Sequence, residues 1–298
     1  MFIKDNGVII SPIFYMGNKR KLIKKGLIEL FPKNINTMVD LFSGSAVVSI
    51  NSNANKHILI DIDENLTNLY KLFKTYNSQT IISHIEKRVD EFGLAKERTK
   101  RNEFKDIEKI NSYKAAYMNL RSCFNQNKQI LDFYTLMFYS FSQQFRFNKK
   151  GEFNMPCGND YFSEKNKNYI INGCNFFNQD NVHIINSDFR KLKINELSNN
   201  DFVYLDPPYM NTRAVYNEGS GWSEKDENDL YRLCEELDKR GLKFGMSNLF
   251  ENKGVKNTKL IEWCEKNNWN VHYFNKFTYC ACGKGNSNAK EVFISNYN

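Results

Sequence analysis

No apolar run in these 298 residues is long enough to span a bilayer, and no signal peptide is legible. Membrane insertion is thereby excluded, and a cytoplasmic setting is expected. Cysteine is sparse and unpaired in pattern. The seven residues, Cys123, Cys157, Cys174, Cys234, Cys264, Cys280 and Cys282, are odd in number and build no disulfide framework. Cys280-Ala-Cys282 is one residue too tight for a C-x-x-C knuckle, and no second pair or nearby histidine completes it. Free thiols are therefore expected, and no metal is called for. Internal repeats and a clear linker are absent too. No G-x-G-x-x-G follows the first strand, which removes a nicotinamide oxidoreductase.

What is present suits a large globular chain. Hydrophobic residues make up 41%, with 24 Phe and 16 Tyr, enough for a sizeable core. A formal charge of +8 suits a polyanionic partner such as nucleic acid, without requiring one.

The first quarter alternates strand and helix. Thr37–Phe42 reads as a short apolar strand, Ser43-Gly44-Ser45-Ala46 as a turn into a small-residue helix, Lys56–Asp61 as a strand, and Glu64–Tyr76 as a helix. Between about Ser78 and Lys167 the rhythm changes to charged helical patterns and an aromatic run. From Val182 strands return in "VHIINSDF", "DFVYLDPPY", "LKFGMSN", "NVHYFN" and "EVFISN", with helices over Ser223–Lys239 and Thr258–Lys266. The expected fold is a Rossmann-like α/β sheet interrupted by a mostly helical insert. The expected divisions are 1–76, 77–167 and 168–298, the first and last forming one catalytic domain.

Two strand ends point to a nucleoside-containing cofactor. Asp40 precedes a Gly-containing turn that lets a ligand approach the backbone, and Asp61 ends the next strand, where an acid accepts from ribose hydroxyls. "YLDPPYM" (204–210) narrows the chemistry. Prolines cannot donate to a ladder, so the strand stops at Asp206. The rigid corner presents two acceptors, the Asp206 carboxylate and the Pro207 carbonyl, beside the flat face of Tyr209. Such a set grips a planar base through its exocyclic NH₂. Drawing both hydrogens toward acceptors favours a pyramidal nitrogen with an available lone pair, ready for a methyl group from a sulfonium. Near the N-terminus, "FYMGNKRKL" offers a tight turn at Gly17 and Lys19, which can reach a carboxylate or phosphate.

Taken in order, "FYMGNK", "VDLFSGS", "LIDID", a helical insert, "FVYLDPPY", "WSEKD" and "KFGMSN" resemble the Dam-type DNA adenine-N6 methyltransferases. These form the D12 class with the α ordering of motifs, and the likeness is greatest to short phage Dam enzymes. The resemblance implies S-adenosyl-L-methionine as cofactor, double-stranded DNA as partner and a flipped adenine as target. It implies that Tyr15, Gly17, Lys19, Asp40, Phe42, Gly44, Asp61, Phe189 and Asp206 line the cofactor pocket, and that Asp206, Pro207 and Tyr209 are catalytic. Tyr216 would lie in a loop over the site, with Trp222 just beyond it. The family's F-x-G-x-G has alanine last here (Phe42, Gly44, Ala46), tolerable in a helical position.

By the same resemblance the insert recognises the target, and Phe141–Asp160 is similar to a β-hairpin that enters DNA. Arg146, Asn148, Lys149 and Lys150 suit phosphates, and Gln143 and Gln144 suit base edges. GATC-reading members carry an arginine shortly after P-x-G; after Pro156 and Gly158 this chain has Asn159 and Asp160, which argues for another target. Phe133, Tyr134 and Phe138 are expected in the insert's own core. Cytosine-N4 or RNA methylation, and a non-catalytic DNA-binding relative, are the alternatives; the aspartate form of the motif favours adenine.

Overall fold

The computed structural model describes residues 2–99, 106–210, 221–278 and 288–298. Tyr216, Cys280 and Cys282 lie outside them. The chain opens with the short strands β1 (Lys4–Asp5) and β2 (Val8–Ile9) and the single turn α1 (Arg20–Ile23). Strand β3 (Ile35–Asp40), helix α2 (Val47–Asn51), strand β4 (Ala54–Asp61) and helix α3 (Glu64–Thr75) follow. Helices α4 (Ser78–Phe92), α5 (Ile107–Asn127), α6 (Ile130–Tyr139) and α7 (Glu164–Phe177) come next. The remainder is β5 (Val182–Asn186), β6 (Phe202–Leu205), α8 (Glu224–Lys239), β7 (Lys243–Asn252), β8 (Val255–Lys256), α9 (Thr258–Asn267), β9 (Asn270–Thr278) and β10 (Asn288–Ser295).

These elements form two compact units. One comprises Gly17–Thr67 and Asp180–Asn298, the other Met1–Met16 and Asn68–Gln179.

The first unit is built on a sheet ordered β5-β4-β3-β6-β7-β10-β9, with β8 paired to β7. Strands β5, β4, β3, β6 and β7 are parallel, whereas β10 is antiparallel to both neighbours. Strands covered on both faces read as continuous apolar runs, and all four residues of β6, "FVYL", are buried. One face carries α8 and α9, whose Leu230, Leu237, Leu260 and Trp263 join Val203, Leu205, Met246 and Val292 in a common core. The chain runs outward from β3 through β4 to β5, then returns to β6 on the other side of β3. That reversal makes a crevice at the carboxyl ends of β3 and β6, the usual place for a ligand in an open α/β sheet.

The second unit is helical. Helix α6 is buried from Asp132 to Tyr139, so Phe133, Tyr134 and Phe138 are core residues, as their spacing suggests. Phe124, Phe133, Phe145, Phe147 and Phe153 make a cluster of mostly edge-to-face rings. The buried Asp132 carboxylate takes His84 Nε2 at 2.8 Å, Arg88 Nε at 2.8 Å and Asn127 Nδ2 at 3.1 Å, tying α4, α5 and α6 together. Residues 1–16, 68–76 and 168–179 cluster with this unit, whereas the expected divisions grouped them with the sheet. The side chain of Asn172 pairs with both backbone groups of Ile3 at 2.7 Å, and the Tyr134 hydroxyl donates to the Pro12 carbonyl at 2.9 Å. Such contacts between residues far apart in the chain leave no local pattern to read.

Candidate active site

Three aspartates end three adjacent parallel strands: Asp61 on β4, Asp40 on β3 and Asp206 just past β6. The turn after β3 is locked by Ser43. Its N–H donates to the Ile60 carbonyl at 3.0 Å and its hydroxyl to the Asp40 carbonyl at 2.7 Å. Asp61 accepts the N–H of Gly44 at 2.8 Å on one oxygen and that of Asp63 at 2.9 Å on the other. It thus braces the glycine turn from the neighbouring strand. The Ser49 hydroxyl donates to Asp40 Oδ2 at 2.6 Å, while Asp40 Oδ1 is buried with no hydrogen-bond partner among the described residues. Burial pushes Asp40 up to about 7 against the Ser49 bond, with the nearby charges of Asp206 and Asp61 adding to the rise. Burial likewise pushes Asp61 up to about 6, opposed by the two backbone N–H groups.

Ala46, at the last glycine position of the turn pattern, is not helical. It caps α2 in the left-handed region, with φ +56° and ψ +18°. Glycine suits that conformation because a Cβ crowds the backbone there, so alanine sits strained where helical geometry was expected.

The Asp-Pro-Pro-Tyr corner is held by ions. Lys19, at the start of α1 and 4% exposed, places Nζ 2.7 Å from Asp206 Oδ2 and donates to the Gly17 carbonyl at 2.8 Å. Gly17 has φ +77°, the tight turn that bends this carbonyl back toward the lysine. The Tyr209 hydroxyl donates to Asp206 Oδ1 at 3.0 Å and lies 3.4 Å from Glu291 Oε1. Tyr209 is buried against Leu249 and Ala289, with Lys19 Nζ 5.1 Å from its ring centre. Pro207 is buried and Pro208 half-buried. Burial pushes the Asp206 carboxyl above its usual range, while Lys19 and the Tyr209 hydroxyl oppose the rise. Glu291, on β10, joins this cluster unforeseen. In "EVFISN" it reads as one polar position of an alternating strand.

Phe42, Phe189 and Trp222 converge beside the turn, with ring centres 5.3–5.9 Å apart. Arg190 lies 4.5 Å from the Phe189 ring centre and is gripped by Asp188, Asp226 and Asp229. Asp226 in the first turn of α8 and Asp229 one turn on thereby fix Arg190 against the aromatic wall, a role for Asp226 of "WSEKD" that the sequence alone does not reveal. Gly17, Lys19, Asp40, Phe42, Gly44, Asp61, Phe189, Asp206, Pro207 and Tyr209 all belong to the sheet unit, whereas Tyr15 belongs to the helical unit, its ring 6.0 Å from Phe145.

The Phe141–Asp160 segment folds back on itself through two isolated antiparallel bridges, Ser140 with Cys157 and Phe147 with Phe153. Several residues expected to face DNA have internal work. Asn148 Oδ1 accepts from Lys150 N–H at 2.9 Å and Glu152 N–H at 3.0 Å, which closes the tip. Arg146 Nε donates to Asn154 Oδ1 at 2.8 Å across the fold, and Asp160 pairs with Arg98 at 3.1 Å. A Cβ on Gly158 would meet the Ser140 carbonyl oxygen at 2.5 Å, so this glycine serves a close backbone approach. Lys149, Lys150 and Asn159 are exposed, and Gln143 and Gln144 half-exposed.

In an open α/β sheet, the carboxyl ends of the strands at such a switch point are where ligands usually bind, and here acids and an aromatic wall gather there. The sequence profile of the D12 class N6 adenine-specific DNA methyltransferases matches residues 15–276, and the chain belongs to that family. It is 35% identical over 301 residues to the type II methyltransferase M.FokI of Planomicrobium okeanokoites, covering 99% of this chain and 44% of that protein. It is 35% identical over 299 residues to the modification methylase StsI of Streptococcus sanguinis, covering 97% and 43%. The chain thus spans under half the length of these two relatives. The type II methyltransferase M1.LlaDCHI of Lactococcus lactis subsp. cremoris is 25% identical over 307 residues, with 99% of this chain and 98% of that one covered.

Proposed function

We propose that the chain transfers a methyl group from S-adenosyl-L-methionine to the exocyclic N6 of an adenine flipped out of duplex DNA. The observation that carries this reading is the Asp206 carboxylate, set by two prolines at the switch point and kept paired with Lys19 at 2.7 Å. A buried acid without a cation would take up a proton, turning one of its two oxygens from acceptor to donor. Lys19 therefore keeps Asp206 ready to accept from the amine. Family membership and the modification methylases among its relatives support the same reading.

The donor set fits the cofactor. Asp40 Oδ1, buried and lacking a partner, suits a cationic donor such as the methionyl ammonium, and Asp61 at the next strand end suits the ribose hydroxyls. Gly44 would let the ligand approach the turn, and the Phe42–Phe189 wall would flank an adenine ring. When bound, the cofactor supplies an electrophilic methyl whose S–C bonding pair leaves on sulfur. Asp206 and the Pro207 carbonyl accept the amine hydrogens, so the nitrogen lone pair is free to form the new N–C bond. Asp206 is placed to take the proton released. Tyr209 offers the base its ring.

We assign target recognition to the helical unit, with Lys149 and Lys150 on phosphates and Gln143, Gln144 and Asn159 near base edges. Asn148, Arg146 and Asp160 support the shape of this segment. The motif order supports a Dam-type reading, and Asn159 after Gly158 favours a target other than GATC. Incubation of duplex DNA with the protein and methyl-tritiated cofactor, followed by nucleoside analysis, tests the reading. Label in N6-methyladenine is expected; label confined to 4-methylcytosine, or none in DNA, contradicts it.

A further inference from the structure

The internal strand β10 carries a glutamate where an apolar side chain would ordinarily sit. Glu291 is 2% exposed, and its Oε2 is buried without a hydrogen-bond partner among the described residues. Burying a carboxylate that is not fully paired is unfavourable, and a shape-matched apolar residue would usually stabilise the strand more. The strand is also distorted at this point. Its pairing with β7 shifts register between Lys290 and Glu291, and its pairing with β9 shifts between Ala289 and Glu291. Irregularities of this kind re-aim a side chain, and here the re-aimed carboxylate meets the Asp206 cluster.

Within that cluster both Asp206 oxygens already receive a donor, Lys19 on Oδ2 at 2.7 Å and the Tyr209 hydroxyl on Oδ1 at 3.0 Å. A hydroxyl carries one hydrogen and can direct it to one strong acceptor at a time. Glu291 Oε1, at 3.4 Å, is a second carboxylate oxygen within reach of that hydroxyl, and it also lies 4.0 Å from Lys19 Nζ.

We infer that Glu291 is a positioning residue for methyl transfer: it takes the Tyr209 hydroxyl when the target amine arrives, leaving Asp206 Oδ1 open to accept from the base. This rests on the methyltransferase reading above. Without the second acceptor, the hydroxyl stays on Asp206 and competes with the amine for the same oxygen. Glu291 Oε1, already 3.4 Å from that hydroxyl, is the atom that would receive the donor Asp206 gives up.

A double-mutant cycle with Tyr209→Phe tests this, because phenylalanine keeps the ring and removes the competing hydroxyl. Glu291→Met, unbranched and of similar length, is expected to leave the melting temperature unchanged or higher. Affinities for cofactor and DNA should stay within about threefold, while kcat falls about tenfold. Glu291→Gln, which keeps an acceptor oxygen, is expected to recover part of that loss. In the Tyr209→Phe background, Glu291→Met should change kcat by less than about twofold. Wild-type kcat in Glu291→Met, or an equal loss in both backgrounds, overturns the role. If the methionine variant does not fold, the glutamine variant carries the same cycle. If the wild-type protein labels no DNA, the methyltransferase reading falls and this role with it. An active wild type with additive losses removes Glu291 alone.

Discussion

Lys19 opposes the burial that would otherwise protonate Asp206. Lys19→Met leaves a buried carboxylate without its cation, a change that costs about 3 kcal/mol when a buried pair is broken. Urea titration should show that loss, and methyl transfer should drop at least about a hundredfold as Asp206 takes up a proton. Asp40 gives a pH signature. Its folded-state value is raised to about 7, so the folded form holds the proton more tightly than the unfolded chain does. The stability from this group is complete below the ordinary carboxylate value and is lost as pH rises toward 7. Asp61, raised to about 6, acts in the same direction. Melting temperatures of the cofactor-free protein should reveal this slope between about pH 4 and 7, and Asp40→Asn should flatten it while weakening cofactor binding. Asp40, Asp61 and Asp206 are legible in the sequence because each follows an apolar run that can only be a strand. Glu291 is not, since its inward aim comes from a pairing irregularity between strands distant in sequence.

Elements carry their own tests. The left-handed Ala46 cap predicts that Ala46→Gly stabilises the sheet unit by about 1 kcal/mol, read from a urea midpoint shift at constant slope. In the helical unit, Asp132 is held down to about 2 by His84, Arg88 and Asn127 in opposition to its burial. The stability it confers is present above the ordinary carboxylate value and is lost as pH falls toward 2. Asp132→Ala should destabilise that unit by about 3 kcal/mol or more, because Arg88 loses its buried partner. At the tip of the 141–160 segment, replacing Lys149 and Lys150 together by alanine should weaken DNA binding. It should also reduce the slope of log K against log salt by about 2, with cofactor affinity unchanged. Strand and helix positions were readable from periodicity, and observed bounds fall within a few residues of those expected, as with β4 and α9. The roles of Asn148 and Arg146 were not, because a side chain that closes a turn and one that contacts a phosphate share the same composition.

At the scale of the whole chain, a β-α-β beginning is interrupted by helices and then resumed, and that interruption is plain in the change of residue pattern. The assignment of residues 1–16 to the helical unit is not, since it rests on contacts such as Ile3 with Asn172, 169 residues apart. Among the described residues no helix is long and apolar enough to cross a membrane. The net charge of +8 suits a DNA partner. If the Asp206 corner performs the chemistry while other parts of the chain hold the DNA, loss of Asp206 separates the two. The most direct measurement compares wild type with Asp206→Ala for methyl transfer to duplex DNA and for binding to the same duplex. N6-methyladenine is expected from wild type, none above background from the variant, and DNA affinity within about threefold between the two. Near-normal turnover by Asp206→Ala would contradict that expectation.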